Sequence, residues 1–237
     1  RRDLTEEEAL SVLAAYGVPT VPGRAVAGAE EAADAAVMLG FPVVLKLNSE
    51  TITHKTDVNG VQLNLHNADD IRRACDAIRK GVTDKHGEGH FLGVTVQPMI
   101  KLDGYELIMG SSIDPQFGPV LLFGTGGQLV EVFKDRALGL PPLNERLARY
   151  MLESLRSWPL LCGYRGRPGA NLDKLIEILM RFSYLIADYP EIKEIDINPL
   201  LVTPDEIIAL DARVIIDRAL VGQVVRAHSH LAISPYP

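Results

Sequence analysis

The sequence predicts an α+β fold arranged as two lobes. Helical and strand patterns alternate unevenly along the chain, and several strand candidates are joined by short turns that call for antiparallel pairing. No repeat with a period of about 20–50 residues interrupts this reading. The chain has 237 residues, of which 47% are hydrophobic and 23% charged, a composition that excludes wholesale disorder and suits one large domain or two small lobes.

In chain order, Thr5 and Glu8 form a capping box, with Leu4 as a staple residue. Ala9, Leu10, Val12, Leu13 and Tyr16 follow at helical spacing, and Gly17 ends the helix before an extended Val18–Pro22. A second helix runs from about Glu30 to Leu39 and stops at Gly40. Phe41–Leu47 is a short apolar run suited to a buried strand, yet it carries Lys46. After a polar loop, Asn48–Asn59, comes the strand Gly60–Leu65, whose Val61, Leu63 and Leu65 alternate. Asn67 caps a helix over about Ala68–Val82, with Asp70 at the third helical position.

Leu92–Val96 is the next strand and ends in Gln97-Pro98-Met99, near which the two lobes meet. Three strand candidates follow: Tyr105–Ser111, Val120–Phe123 and Leu129–Phe133. The turns between them are Asp114-Pro115-Gln116-Phe117-Gly118 and Gly124-Thr125-Gly126-Gly127. Helical periodicity returns at Leu143–Leu155 and Leu172–Ala187. The latter carries a core stripe of Leu175, Ile178, Leu179, Phe182, Leu185 and Ile186. Ile192–Thr203 and Glu206–Asp211 close the chain as a hairpin about Pro204-Asp205. The expected domains are residues 1–97, residues 98–225, and a linker over 226–237 toward a further domain.

The net charge of −7, from 31 acidic and 24 basic residues, argues against a nucleic-acid partner while leaving room for a local basic pocket for phosphates. Cys75 and Cys162 stand outside any CxxC spacing, which excludes a zinc knuckle and fits a reducing cytoplasm. No apolar run approaches the roughly 18 residues of a membrane span, and no charged-then-apolar leader precedes the first helix. A cytoplasmic protein without a membrane partner is expected. The chain starts Arg1-Arg2-Asp3 and stops within a proline-bearing stretch, so it reads as a domain excised from a longer polypeptide.

Charge in unusual places marks the chemistry. Lys46, flanked by Val43, Val44, Leu45 and Leu47, either snorkels to the strand edge or meets an anion. Thr51–Val61 gathers His54, Lys55, Thr56 and the pair Asn59-Gly60. It is either an ordinary Asn-Gly turn or a cradle whose successive N–H groups converge on an anion. In Glu194–Leu200, a period of two puts Asp196 and Asn198 on one face and Ile195 and Ile197 on the other. Asp211 lies across from them if the hairpin pairs. Two carboxylates and an amide oxygen make a hard-oxygen set suited to Mg²⁺ shared with phosphates, or simply a polar outer face. Gly126 and Gly127 allow a close backbone approach to a ligand. Glu106, Glu131 and Asp135 are charges near strands, read singly as outward-facing. His86-Gly87-Glu88-Gly89-His90 is read as a solvated loop rather than a metal site.

In sequence order, Val43-Val44-Leu45-Lys46, Ile52–Val61, Val96–Met99, Gly104–Leu107, Phe117-Gly118-Pro119, Gly126 through Glu131 to Leu143, Gly163–Gly166, Asp196–Leu200 and Leu210-Asp211 carry a resemblance. This series is similar to the ATP-grasp domain of ADP-forming acyl-CoA synthetases and covers nearly the whole chain. The resemblance implies an ATP-grasp fold, two α+β lobes clamping Mg-nucleotide between mostly antiparallel sheets. It implies that Lys46 and Lys55 contact nucleotide phosphates, that Gln97, Pro98 and Met99 form the hinge at the adenine, and that Glu106 lies near the ribose or metal. It further implies Asp196, Asn198 and Asp211 as Mg²⁺ ligands and His54 as the residue passing a phosphoryl group to or from ATP/ADP through phosphohistidine. Asn59 departs from the family's usual Gly-Gly-Val.

The implied partners are CoA-binding and ligase domains of the same polypeptide. Residues 228–237 resemble the joint leading into a Gcn5-related acetyltransferase domain of protein lysine acetyltransferases. A non-catalytic, nucleotide-sensing regulatory domain is therefore the alternative expectation. A carboxylate–amine ligase with a diffusible acyl phosphate is the third, against which the histidine-bearing loop argues.

Overall fold

The computed structural model describes residues 2–49, 51–52, 55–101, 103–127 and 135–222. The chain forms two compact units that are interleaved in sequence. One comprises Leu4–Leu10 with Val21–Lys101, the other Arg1–Asp3, Ser11–Thr20 and Leu102–Pro237. The division falls within the first helix, α1 (Glu6–Ala15).

Helix α1 starts where the capping box predicts. Thr5 N–H donates to Glu8 Oε2 at 2.9 Å and Glu8 N–H donates to Thr5 Oγ1 at 3.3 Å, so two otherwise orphaned N–H groups are satisfied reciprocally. The unit built mostly from residues 21–101 holds a four-stranded antiparallel sheet. Its strands are β2 (Arg24–Val26), β3 (Val43–Asn48), β4 (Val61–Leu65) and β5 (Gly93–Pro98), in the order β2-β5-β3-β4. Helices α2 (Ala29–Leu39) and α3 (Ala68–His86) share one core with it, where Ala32, Ala36, Leu45, Ile71, Ile78 and Val94 are buried together. Asn67 Oδ1 accepts from Asp70 N–H at 2.9 Å, the expected cap. Helix α3 runs four residues beyond its expected end at Val82, because Lys85 and His86 suit the negative C-terminal end of the helix and Gly87, at φ 93°, provides the stop.

The other unit carries a seven-stranded antiparallel sheet. It contains β1 (Arg2–Asp3), β6 (Tyr105–Asp114), β7 (Gly118–Thr125), β8 (Arg136–Gly139), β9 (Ile192–Val202), β10 (Ile207–Ala209) and β11 (Ala212–Ile216). The order is β1-β11-β9-β6-β7-β8, with β10 also paired to β9. The turn between β6 and β7 closes as its sequence suggests, with Asp114 Oδ1 accepting from Gln116 and Phe117 N–H at 2.8 and 3.0 Å. Helices α4 (Glu145–Glu153), α5 (Trp158–Leu161) and α6 (Leu172–Asp188) complete the unit, and every residue of the α6 stripe is buried. No helix among the described residues is long and apolar enough to cross a membrane.

Two expectations change. The alternation in β4 fails: Leu65 is buried, but Leu63 is 54% exposed. The pairs Val43↔Leu65 and Leu45↔Gln62 set three residue steps against two, and Asn64 takes up the extra residue at φ 57°. The closing hairpin extends past Asp211 into β11, a full partner of β9 that the sequence reading ended too early. The strand expected at Leu129–Phe133 lies outside the described residues, as does Glu131.

Candidate functional site

Lys46 is 8% exposed, on a strand whose next strand on each side is a partner. An ammonium in such apolar surroundings requires a counter-charge. Glu6, in the first turn of α1, supplies it. Lys46 Nζ donates to Glu6 Oε1 at 2.7 Å, Lys55 Nζ donates to Glu6 Oε2, and Gln97 Nε2 donates to Glu6 Oε1 at 3.0 Å. Burial alone would lift the Glu6 carboxyl, but the two ammonium groups outweigh it and hold the carboxyl below its ordinary range. Both lysines thus keep their heads together on one buried carboxylate, which decides against snorkelling for Lys46. Gln97 is 3% exposed and aims its side chain at the same group.

Lys55 opens a single 3₁₀ turn, Lys55–Val58. Of the two readings of Asn59-Gly60, its hydrogen bonds fit the turn rather than the anion cradle. Asn59 is left-handed at φ 57°, but its N–H donates to Thr56 O at 3.1 Å, and Gly60 N–H donates to Lys55 O at 2.7 Å. These N–H groups close the turn on itself rather than facing outward. Glycine is required at residue 60 because a Cβ there would lie 2.7 Å from Lys55 O. Thr53 and His54 lie outside the described residues. At the end of β5, Met99 N–H donates to Pro42 O at 2.9 Å, which ties the expected hinge segment to the start of β3.

In the other unit, the hairpin register sets the acidic group. Asn198 N–H donates to Asp211 O at 3.3 Å and Leu210 N–H to Pro199 O at 3.1 Å, so Asp211 lies directly across from Asn198. Asp196 and Asn198 are exposed on one face while Ile195 and Ile197 are buried on the other, as the period of two requires. Asp196 pairs in register with Arg213. Loss of hydration, then the carboxylates of Glu194 and Asp211, push the Asp196 carboxyl above its ordinary range, against the pull of Arg213. Among the described residues no three His, Cys, Asp or Glu side chains form a metal-binding group. Two mutually repelling carboxylates beside an amide oxygen nevertheless fit a hard divalent cation that keeps part of its water or shares phosphate oxygens.

Glu106, on β6, accepts from Gly126 N–H through its backbone oxygen at 2.7 Å, and a Cβ on Gly127 would lie 3.2 Å from Glu106 Oε2. The glycine pair therefore packs closely on Glu106. Asp135 is also not an idle surface charge. Its carboxylate accepts from Arg156 and Ser157 N–H at 2.7 and 2.8 Å; burial would raise its carboxyl, yet these bonds hold it low. His90 bonds Thr51 through Nδ1 at 2.6 Å.

The structure brings together Lys46, Lys55 and Gln97, then Glu106 with Gly126 and Gly127, and sets Asp211, just before β11, across from Asn198 on the strand that also carries Asp196. Sequence reasoning missed Glu6. A signal was present: Glu6 falls on the same stripe as Ala9, Leu10 and Leu13, all buried, while Glu7 does not.

Comparison with known proteins identifies a family and a fold. A family model described as an ATP-grasp domain matches residues 1–216. The beta subunit of an ADP-forming acetate–CoA ligase from Pyrococcus furiosus is 37% identical over 215 residues, covering 91% of this chain and 92% of that subunit. A 4-hydroxybutyrate–CoA ligase (ADP-forming) from Nitrosopumilus maritimus is 41% identical over 202 residues, covering 85% of this chain but 29% of the ligase. Among solved structures, acetyl-coenzyme A synthetase 1 of Candidatus Korarchaeum cryptofilum, in complex with coenzyme A and Ca-AMPCP, is 36% identical with a TM-score of 0.87. It covers 92% of this chain and 94% of that one. The same synthetase with coenzyme A and Mg-AMPPCP, its phosphohistidine segment pointing towards the nucleotide binding site, gives a TM-score of 0.78 at 35% identity, with the same coverage. These relatives are ligases and synthetases; the tail expected to lead into an acetyltransferase domain lies outside the described residues.

Proposed function

The chain belongs to the ATP-grasp domain family, and on that premise we propose that it is the Mg-nucleotide-binding, phosphoryl-transferring part of an ADP-forming acyl-CoA synthetase. The observation that carries the proposal is the meeting of Lys46 and Lys55 on Glu6, one buried and one partly buried cation gathered at one point. A nucleotide polyphosphate is the ligand whose charge matches such a pair.

In this reading Lys46 and Lys55 bind phosphate oxygens. Gln97, Pro98 and Met99 meet the adenine through carbonyl groups, since Met99 N–H is committed to Pro42. Glu106 lies near the ribose or metal, with Gly126 and Gly127 allowing close approach. Asp196, Asn198 and Asp211 hold Mg²⁺, which neutralises phosphate charge when bound. His54 carries the phosphoryl group. As phosphohistidine, its P–N bond breaks while a P–O bond forms to the terminal phosphate of ADP; in reverse, the neutral imidazole attacks the γ-phosphorus and ADP leaves. Supporting this, the Korarchaeum synthetase is described with a nucleotide analogue and a phosphohistidine segment. The chain spans most of a beta subunit but under a third of the single-chain ligase. Acyl phosphate formation and CoA binding are therefore assigned to partner domains.

Calorimetry with ADP tests the reading. Binding in Mg²⁺ is expected, weakened at least about tenfold when EDTA replaces the metal. No heat with ADP or ATP in either buffer contradicts it.

A further inference from the structure

We propose that Glu6 is the positioning residue of the two phosphate-binding lysines, an assignment that rests on the nucleotide reading above. Lys46 comes from a central strand and Lys55 from a 3₁₀ turn nine residues later, after a polar loop. Neither element fixes where a four-carbon side chain puts its ammonium. Glu6 does so with one oxygen for each lysine. Two ammonium groups brought together without it would repel, and each would lose the shared counter-charge that draws the two heads to one point. With it, both ammonium groups are held on one carboxylate, so a polyphosphate meets lysines that need little further ordering.

Glu6 is itself held on three counts. It lies in the first turn of α1, where the helix dipole favours a carboxylate. The Thr5–Glu8 capping box fixes that turn. Gln97 donates to the oxygen that also takes Lys46. Its side chain is 7% exposed. A carboxylate anchored in this way is built to remain in place when phosphate arrives, not to swing aside as a stand-in for it.

Glu6→Gln keeps the shape and an oxygen for Gln97 but removes the charge. Titration of the purified chain with pyrophosphate, ADP and adenosine separates the effects. Pyrophosphate and ADP are expected to bind the variant at least about tenfold more weakly, with adenosine unchanged. Unchanged pyrophosphate affinity overturns the assignment, as does tighter binding, which would make Glu6 a competitor for the phosphate position. A parallel loss for adenosine, the mark of general damage, overturns it too. Glu6→Asp provides a second arm if the glutamine variant does not fold. It keeps the charge but is one methylene too short to reach both lysines, so pyrophosphate affinity again falls, and wild-type affinity overturns the assignment. A wild-type chain that binds neither ADP nor pyrophosphate removes the nucleotide reading itself. Wild-type binding with an indifferent Glu6 removes only this inference.

Discussion

Lys46→Met is expected to lower stability by about 3 kcal/mol near neutral pH and to weaken ADP binding at least tenfold. The stability loss comes from Glu6. Methionine fills the lysine's apolar surroundings adequately, but the buried carboxylate keeps only Lys55 and Gln97 of the partners described here, and breaking a buried ion pair leaves a charge that water cannot reach. The binding loss has a separate origin, the missing phosphate contact. Adding Glu6→Gln to Lys46→Met separates the two, because stability is expected to recover in large part while nucleotide affinity is not.

The pH dependence follows from the lowered Glu6 carboxyl. A depressed acid stabilises the fold above its unfolded value, near 4.5, and that contribution is lost as pH falls through the folded value. The gap between wild type and Lys46→Met should therefore narrow below about pH 4.5 in urea melts. A gap that stays constant from pH 7 to pH 3 contradicts the pairing.

Gly81→Ala is the second large effect, and its sign is not the one helix propensity gives. In an open helix the change would stabilise by about 1 kcal/mol. Here a Cβ would lie 2.2 Å from Val58 O, a backbone atom of the turn that begins with Lys55. Backbone cannot yield as a flexible side chain can, and on α3 Lys85 Nζ also bonds Asp57 O in that turn. Overpacking of about 2–3 kcal/mol then outweighs the propensity gain. The expected net result is a lower urea midpoint together with weaker ADP binding, because displacing the turn moves Lys55. A more stable Gly81→Ala with full affinity shows that α3 does not buttress this loop.

Much of the fold was legible because its signals are local. The Thr5–Glu8 box, the Asn67 cap, the α6 stripe and the alternation around Asp196 each depend on residues within a turn or two of one another. The same locality placed Asp211 across from Asn198, since one tight turn sets that register. What escaped depends on partners far apart in sequence. Glu6 reads as one of three glutamates favouring a helix N-terminus, and only a contact 40 residues away makes it a buried counter-ion. The left-handed Asn64 that breaks β4 is a backbone choice that composition permits but does not impose. The motif order pointed to Lys46 and Lys55 but was silent on what gathers them.

A crystal structure of the chain with Mg-AMPPCP would test the central claim most directly. The account predicts phosphate oxygens within about 3 Å of the Nζ atoms of both Lys46 and Lys55, with Glu6 still bound to the two lysines. A bound nucleotide whose phosphates touch neither lysine, with the Glu6 group undisturbed, would contradict it.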